Sequence, residues 1–424
     1  FDVLPKPRSL AGLYPESAMK YILSVLLLST LPMGEAALAA PTVHAEKPAS
    51  CQVSEWSQWK DDILSACGSG MHMSSQTRLR TVLRQPDSSG AACPALSETR
   101  EVHVMCESAT AVKIPLPPRG TEVYSTLRVA DTQETVVKRA DMYGQFRSAC
   151  AYSHMAYDDP IVFSGSPGAA HLHVFFGNTT TNANSTQESL DAGSSTCRGG
   201  TANRSAYWVP AIIDTGLNQA VVPDSTLTYY KDNGMSPAGG PLTTLPNGLR
   251  MIAGNPVTFD REITWEGHPN LNELHHSFEC WSDKLPDGRG GRSQSIPPCP
   301  VGGEILFELA FPQCWDGKNL DSPDHRSHMS YREGWMPGHC DAAHPVALPA
   351  ISFNIHIRVK EGNDTTKWRL SSDAYDTSKP GGYSAHGDVI VDWDEDVKKA
   401  WFEGCIMNGA DCHAHMIGNN RMLY

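Results

Sequence analysis

Chemically active side chains are concentrated in one stretch of the chain, residues 311–331, which reads FPQCWDGKNLDSPDHRSHMSY. Gly317 and Pro323 break regular structure, so the stretch is predicted to be a long ordered loop that follows a strand, Glu304–Phe311. Carboxylates and imidazoles act as acids and bases or bind metal ions. Those of this loop are Asp316, Asp321, Asp324, His325 and His328.

Two further sequences carry the same kinds of group. In AHLHVFFGN, His171 and His173 alternate along a predicted strand and point to one face, which supplies half of a metal site. In YSAHGD, His386 and Asp388 stand beside a glycine just before another strand. Each sequence alone is equally typical of hydrogen-bonded surface histidines or of a turn.

Taken together, these sequences predict one shared site. If the loop folds over the strand face, His171, His173, His325 and His328 would bind one divalent metal, which could be zinc, copper or calcium. The candidate acids and bases are Asp316, Asp321, Asp324, His386 and Asp388. The candidate substrate-binding residues are Tyr207, Trp208, Trp315, Lys318 and Asn319. The alternative is a loop whose aspartates and serines only satisfy its own backbone.

Composition narrows the classes of protein. The chain has 424 residues with 35 glycines and 30 prolines, which favours turn-rich β-structure. The net charge of −13 argues against nucleic acid as a partner. We expect a monomer.

The N-terminal 45 residues are predicted to be an over-extended start followed by a signal peptide. Met19 and Lys20 precede an apolar run, Tyr21–Leu31, that is too short to span a membrane, and cleavage is expected after Ala45. We therefore expect a secreted protein without a membrane span. The twelve cysteines all follow this segment and contain no CxxC pair, so disulfides are expected.

The rest of the chain is predicted to be mainly β, with a large sandwich-like or jelly-roll-like domain over residues 145–424. The clearest strand, Ile351–Val359, alternates apolar and polar residues, and the best helix candidate is Asp394–Glu403. Residues 109–144 read as a linker or an edge strand. Near-neighbour disulfides are expected in the large domain, and the pairs are Cys280–Cys299, Cys314–Cys340, Cys405–Cys412 and Cys150–Cys197.

Residues 46–108 resemble a thrombospondin type 1 repeat. The shared features are the WSQW sequence, the CGSG sequence, an RLR strand with Arg78 and Arg80, and a CPAL element. Indole rings and guanidinium groups can stack in such a module by cation–π attraction. The resemblance implies the disulfides Cys51–Cys93 and Cys67–Cys106 and a role in extracellular adhesion.

The large domain resembles a secreted family of fungi and bacteria, catalogued as domain of unknown function nineteen-ninety-six. The matching sequences are the loop itself, CDAAHPVALPAISF, HGD, HLHVFFGN, NRSAYW and GLRMIAG. Members in fungi often carry WSC carbohydrate-binding modules. The resemblance therefore implies an extracellular or cell-wall polysaccharide as ligand.

The leading hypothesis is an exported enzyme that hydrolyses or eliminates glycosidic bonds of polysaccharide, a glycoside hydrolase or lyase. One alternative is a non-catalytic glycan-binding or adhesion protein. A second alternative is a copper-binding or zinc-binding protein.

Overall fold

The computed structural model of the chain is mainly β-structure, as predicted. It describes residues 50–57, 60–61, 70–86, 91–106, 113–138, 143–232, 242–256, 264–265, 268–269, 275–333, 338–413 and 415–424. These residues divide into two compact units, one from residues up to 54 with 81–96 and one from residues 55–80 with 97–424. The predicted signal peptide, Trp59 and Cys67 lie outside the described residues, and the predicted domain boundaries stay predictions.

The first five strands form short antiparallel ladders. They are β1 (Gln52–Val53), β2 (Lys60–Asp61), β3 (Gly70–Leu79), β4 (Val82–Arg84) and β5 (Ser97–Cys106). In the smaller unit β1 pairs with β4, and the predicted disulfide Cys51–Cys93 is present. In the larger unit β3 pairs with β2 and β5. The guanidinium carbons of Arg78 and Arg80 lie 4.9 Å and 4.2 Å from the centre of the Trp56 ring, which confirms the expected cation–π contacts.

The remaining strands belong to the larger unit. They are β6 (Val129–Asp131), β7 (Val137–Lys138), β8 (Gln145–Ala156), β9 (His173–Gly177), β10 (Ala206–Pro210), β11 (Ile212–Asp214), β12 (Gln219–Val221), β13 (Ser225–Lys231), β14 (Arg250–Gly254), β15 (Thr264–Trp265), β16 (His268–Pro269), β17 (His276–Trp281), β18 (Glu304–Ala310), β19 (Cys314–Trp315), β20 (Met329–Ser330), β21 (Val346–Ala347), β22 (Ala350–Arg358), β23 (Trp368–Leu370), β24 (His386–Ile390), β25 (Ala410–Asp411) and β26 (Arg421–Leu423).

One large antiparallel sheet organises this unit. Its strand order is β14-β24-β10-β9-β8-β13-β22-β18-β17, and the register of β8 against β9 shifts between Tyr152 and His154. The two halves of the sheet pack against each other: the rings of Tyr207 on β10 and Phe353 on β22 meet edge to face, with centroids 5.5 Å apart. Strands of both halves bury alternate apolar residues in the space between them, which is the expected sandwich arrangement.

The half of the sheet formed by β14, β24, β10 and β9 is buried on both faces. Its outer face carries a second apolar cluster that includes Phe175, Trp208 and Ile252. Strands buried on both faces read as nearly continuous apolar runs, and β9 and β10 are buried at every position. Between the halves, a Cβ added to Gly387 would lie 2.6 Å from Leu309 Cδ1 and 2.9 Å from Val209 Cγ1. Only glycine fits this point of β24.

Helices are few and short. They are α1 (Gln187–Asp191), a 3₁₀ turn (Thr365–Lys367), α2 (Glu395–Trp401) and a π-helical turn (Phe402–Ile406). The predicted helix is confirmed as α2, and its Asp394 side chain accepts a hydrogen bond from the Val397 N–H as an N-cap. No helix among the described residues is long and apolar enough to cross a membrane.

Residues 113–138 are integrated into the larger unit. β6 pairs with β26, β7 pairs with β25, and the backbone N–H of Gly120 donates to the Ser153 carbonyl. The edge-strand interpretation of this segment therefore describes it better than a free linker. All four disulfides predicted for the large domain are present, and they are Cys150–Cys197, Cys280–Cys299, Cys314–Cys340 and Cys405–Cys412.

His154 on β8 supplies a test of this packing. Its ring stacks on Phe175 with centroids 4.8 Å apart, and burial is the main cause that lowers its pKa to about 4. As the pH falls, the unfolded chain binds a proton on this ring below about pH 6.5, whereas the folded chain binds it only near pH 4. The free energy of unfolding should therefore decrease by up to about 3 kcal/mol between pH 6.5 and pH 4. His154→Leu should flatten this acid dependence. Urea unfolding of both proteins at pH 4.5 and 7 measures it, and equal pH dependence would contradict the burial of the ring.

Candidate functional site

Three imidazoles meet on the outer face of the sheet. His173 comes from β9, His386 from β24, and His171 from the chain that enters β9. One ring nitrogen from each lies within 4.8 Å of the others, and the Nε2 atoms of His171 and His386 are 3.1 Å apart. His173 and His386 are buried, whereas His171 is partly exposed. The cluster therefore has one side toward solvent.

The second nitrogen of each ring fixes which atom carries the proton. His173 Nδ1 lies 2.9 Å from the Asp158 carbonyl oxygen, and His386 Nδ1 lies 2.8 Å from the Ser384 carbonyl oxygen. A carbonyl only accepts, so both Nδ1 atoms must be donors. The Ser371 hydroxyl donates to the Leu172 carbonyl and accepts from His171 Nδ1. In neutral rings all three Nε2 atoms therefore present lone pairs.

Lone pairs facing each other at 3.1 Å repel unless a proton or a cation lies between them. Burial is the main cause that lowers the pKa of each ring, and a neighbouring imidazole is the second cause. The pKa of His173 is lowered to about 3, and those of His171 and His386 lie well below the usual range. The rings are therefore neutral at pH 7. Two nitrogens bound to one tetrahedral zinc at about 2.0–2.1 Å would lie about 3.3 Å apart, close to the distance observed here.

Two buried carboxylates extend the cluster. Asp388 on β24 and Asp159 each place an oxygen within 4.8 Å of a nitrogen of His173 and of each other. Asp159 is held by its Oδ1, which accepts the N–H groups of Ile161 and Val162. Neither oxygen of Asp388 has a hydrogen-bond partner among the described residues, and His173 Nε2 has none either. Burying such atoms costs free energy unless a cation or proton satisfies them.

The charge environment of the two carboxylates agrees with this geometry. Burial is the main cause that raises the pKa of Asp388 well above its usual range, and the negative charge of Asp159 raises it further. Burial also raises the pKa of Asp159, although the His325 charge lowers it. Without a cation, burial and mutual repulsion favour protonation of at least one of these carboxyl groups; a divalent cation would replace that proton.

The loop residues predicted as metal ligands lie nearby but have other partners. His325 Nδ1 is 2.9 Å from Asp321 Oδ1, and His328 Nε2 is 2.7 Å from the Arg250 carbonyl oxygen. His325 directly precedes Arg326, whose guanidinium donates to the Gly254 carbonyl at the end of β14. The structure thus brings His171 and His173 together with His386, which had been assigned to catalysis, and not with the two loop histidines.

Among the predicted acids and bases, the loop aspartates are occupied by their own segment. Asp316 accepts the N–H groups of Lys318 and Asn319, and Asp324 accepts those of Arg326 and Ser327. Asp321 pairs with Arg250 at 3.2 Å. The hydrogen bonds of Asp324 outweigh its desolvation, and its pKa is lowered. These three carboxylates match the backbone-satisfying interpretation, whereas Asp388 lies in the cluster.

The residues predicted to bind substrate fall into two groups. Tyr207 and Trp208 are 0 % exposed, so neither ring face is open to a sugar. Their burial follows from the packing of β10 on both faces. Trp315 is half-buried, with its indole N–H donating to the Asn319 carbonyl, and Lys318 and Asn319 are exposed. Only these three remain available at the surface.

Sequence reasoning missed Asp159 and Arg326. Asp159 lies in YDDP, an ordinary turn sequence, and nothing in its spacing links it to the histidines. Arg326 lies in the loop, but no role was predicted for it from the sequence. Its guanidinium donates from Nη1 to the Gly254 carbonyl at 3.1 Å, and its charge acts on both Asp388 and His386. The available signal was its position between two loop histidines.

The residues present fit a divalent transition metal. Three neutral imidazoles with unpaired Nε2 lone pairs and one carboxylate without a hydrogen-bond partner among the described residues offer three nitrogen donors and one oxygen donor, a combination that zinc prefers. Calcium, which takes six to eight oxygen ligands, fits this set poorly. The Nδ1–H bonds to Asp158, Ser371 and Ser384 would orient the ligating rings.

Asp388→Asn tests the buried carboxylates in metal-free protein. The folded-state pKa of Asp388 is raised, so its contribution to stability is present at low pH and lost as pH rises through that pKa. The variant cannot ionise, and we expect its free energy of unfolding at pH 8 to exceed that of the wild type by on the order of 1–3 kcal/mol. The difference should shrink at pH 5. Urea unfolding in the presence of a chelator measures this difference. The same difference in unfolding free energy at pH 5 and pH 8 would contradict the prediction.

Comparisons with known proteins place the site in a family. The family model described as "Domain of unknown function (DUF1996)" matches residues 159–393, which is more than half of the chain and includes all five residues of the cluster. R-spondin-3 of Danio rerio is 34% identical over 100 residues, which cover 24% of this chain and 28% of that protein. The chain thus spans less than a third of this curated relative. No solved structure matches the chain.

Proposed function

The chain belongs to the DUF1996 family, and we propose that it is an exported, metal-dependent enzyme that cleaves glycosidic bonds of extracellular polysaccharide. The observation that carries this proposal is the convergence of His171, His173 and His386 with two buried carboxylates, whose unpaired atoms call for a cation. Buried groups with strongly shifted pKa values are typical of active sites. The substrate class follows from the carbohydrate-binding modules that members of the family carry.

In this proposal, His171, His173 and His386 would hold one divalent ion, zinc by preference, with Asp388 beside it and the fourth position open to water or substrate. Such an ion polarises a substrate oxygen or lowers the pKa of a bound water. Asp159, held by two backbone N–H groups, is positioned to accept a proton beside it. The partly exposed His171 marks the side from which a sugar chain would approach.

Export and the first module belong to the same proposal. The disulfides of the described residues are consistent with an oxidising compartment. We infer that residues 46–108 form a thrombospondin type 1-like module that binds glycan or a protein partner. The Trp56–Arg80 stacking, the Cys51–Cys93 bridge and the similarity to R-spondin-3 support this inference.

Metal content of the full-length chain tests the ligand set. We expect about one zinc ion per chain and near-complete loss in His386→Ala, because one of three imidazoles is removed. His325→Ala is the matched control, since this histidine lies on the neighbouring loop but bonds to Asp321. Metal analysis after dialysis measures both variants. Equal loss in the two would favour the loop histidines as ligands.

Activity is tested on a panel of neutral and acidic polysaccharides, with reducing ends and unsaturated products measured in parallel. We expect turnover that a chelator removes and zinc restores, and a loss of about 100-fold or more in His386→Ala. Metal binding together with glycan binding but no turnover would favour the adhesion protein. Metal binding with no glycan interaction would favour the copper-binding or zinc-binding alternative.

A further inference from the structure

The Arg326 side chain is placed at the border of the histidine cluster. Its Nη1 donates to the Gly254 carbonyl, and Gly254 at the end of β14 pairs directly with His386 on β24. The two strands are in close contact here, since a Cβ on Gly254 would lie 2.3 Å from the Ala385 carbonyl oxygen. One backbone pairing therefore separates the guanidinium from His386.

The backbone of Arg326 is held by the loop. Its N–H donates to Asp324 Oδ1 at 3.1 Å, and its carbonyl accepts the Met329 N–H at 3.0 Å. Asp324 accepts three further hydrogen bonds, from the Ser327 N–H, the Ser327 hydroxyl and the Ser322 hydroxyl. The loop carboxylate predicted to be an acid or base thus helps to fix the position from which Arg326 reaches the site.

The guanidinium has no ion-pair partner among the described residues, although the chain carries a net charge of −13. The other loop-facing arginine, Arg250, pairs with Asp321 at 3.2 Å. Arg326 is exposed and makes one hydrogen bond, which leaves most of its five N–H donors open to solvent. An arginine with free donors beside a site is suited to bind a carboxylate or sulfate through two parallel hydrogen bonds.

We propose that Arg326 binds an acidic group of the substrate, so that the site acts on polysaccharides that contain uronic acid. This inference rests on the proposed function and names its substrate class. A uronate carboxylate held by Arg326 would bring the sugar chain toward the partly exposed His171, whose Nε2 lies 3.1 Å from that of His386. The net negative charge of the chain would weaken non-specific binding of acidic polysaccharides.

The experiment uses full-length, zinc-loaded protein and a panel of pectate, alginate and glucuronan beside neutral β-glucan and xylan. We expect turnover on a uronate polymer, and a fall of about tenfold or more in kcat/KM when the carboxylates of that polymer are methyl-esterified. Arg326→Ala should raise KM by about tenfold or more on the acidic polymer and leave zinc content unchanged. Arg326→Lys should recover part of the loss, because it keeps the charge without the paired donors.

Lys399→Ala is the matched control, because this residue is an exposed cation on α2, outside the loop and the histidine cluster, and should change KM little. Equal turnover of neutral polymers, or an Arg326→Ala variant with unchanged KM, would overturn the uronate inference and leave the enzyme proposal standing. If nothing in the panel is turned over, the enzyme proposal fails. Calorimetry with uronate oligomers then decides the inference, since Arg326-dependent binding supports it and its absence overturns it.

Discussion

Three Nδ1–H hydrogen bonds determine which ring nitrogens of the histidine cluster are free to bind a ligand. Because His171, His173 and His386 each donate from Nδ1, to Ser371, to the Asp158 carbonyl and to the Ser384 carbonyl, their Nε2 lone pairs are left to converge. If one ring were flipped, it would offer a donor to its neighbour and the cluster would become an ordinary hydrogen-bonded group. The strands β9 and β24, the Asp158 carbonyl and the Ser371 hydroxyl hold the rings in this arrangement.

The loop that dominates the sequence has a different role from the one its composition indicates. Its aspartates bind the backbone of the loop, and the Cys314–Cys340 disulfide fixes its start. Its histidines bond to Asp321 and to the Arg250 carbonyl. The loop therefore frames the cluster, and its side chains Asp321, Arg326 and His328 all bond to β14. A high density of reactive residues indicated the neighbourhood of the site but not its members.

Much of the fold could be predicted because it depends on local patterns. Period-two alternation located β22 to within one residue at each end, and an acidic N-cap located α2. The strand β8 was missed because it is buried toward both faces over its second half, so the alternation fades after Ala151. Disulfides between cysteines close in the chain were predictable for the same local reason.

The site could be predicted only in part because it depends on pairing between distant strands. The HxH sequence correctly placed His171 and His173 together, since a strand alternates its side chains. Nothing local reveals that β24 lies two strands from β9 with β10 between them, which is what brings His386 and Asp388 to the same face. Asp159 joins them from a turn. The spacing of residues in the sequence does not show which distant strands become neighbours, whereas the strand order of the folded sheet does.

The glycine between His386 and Asp388 links this chemistry to the interior of the protein. A Cβ at this point would meet Leu309 of the opposite half of the sheet and Val209 of the neighbouring strand β10, so packing between the halves limits the height of β24. Any added volume at this contact would lift both neighbours of Gly387 together, on the far side of the strand. Substitutions of core residues that have no reactive group, such as Leu309, would therefore change the geometry of the donor atoms. Fine-tuning from the core could change the affinity for an ion without altering a single donor atom.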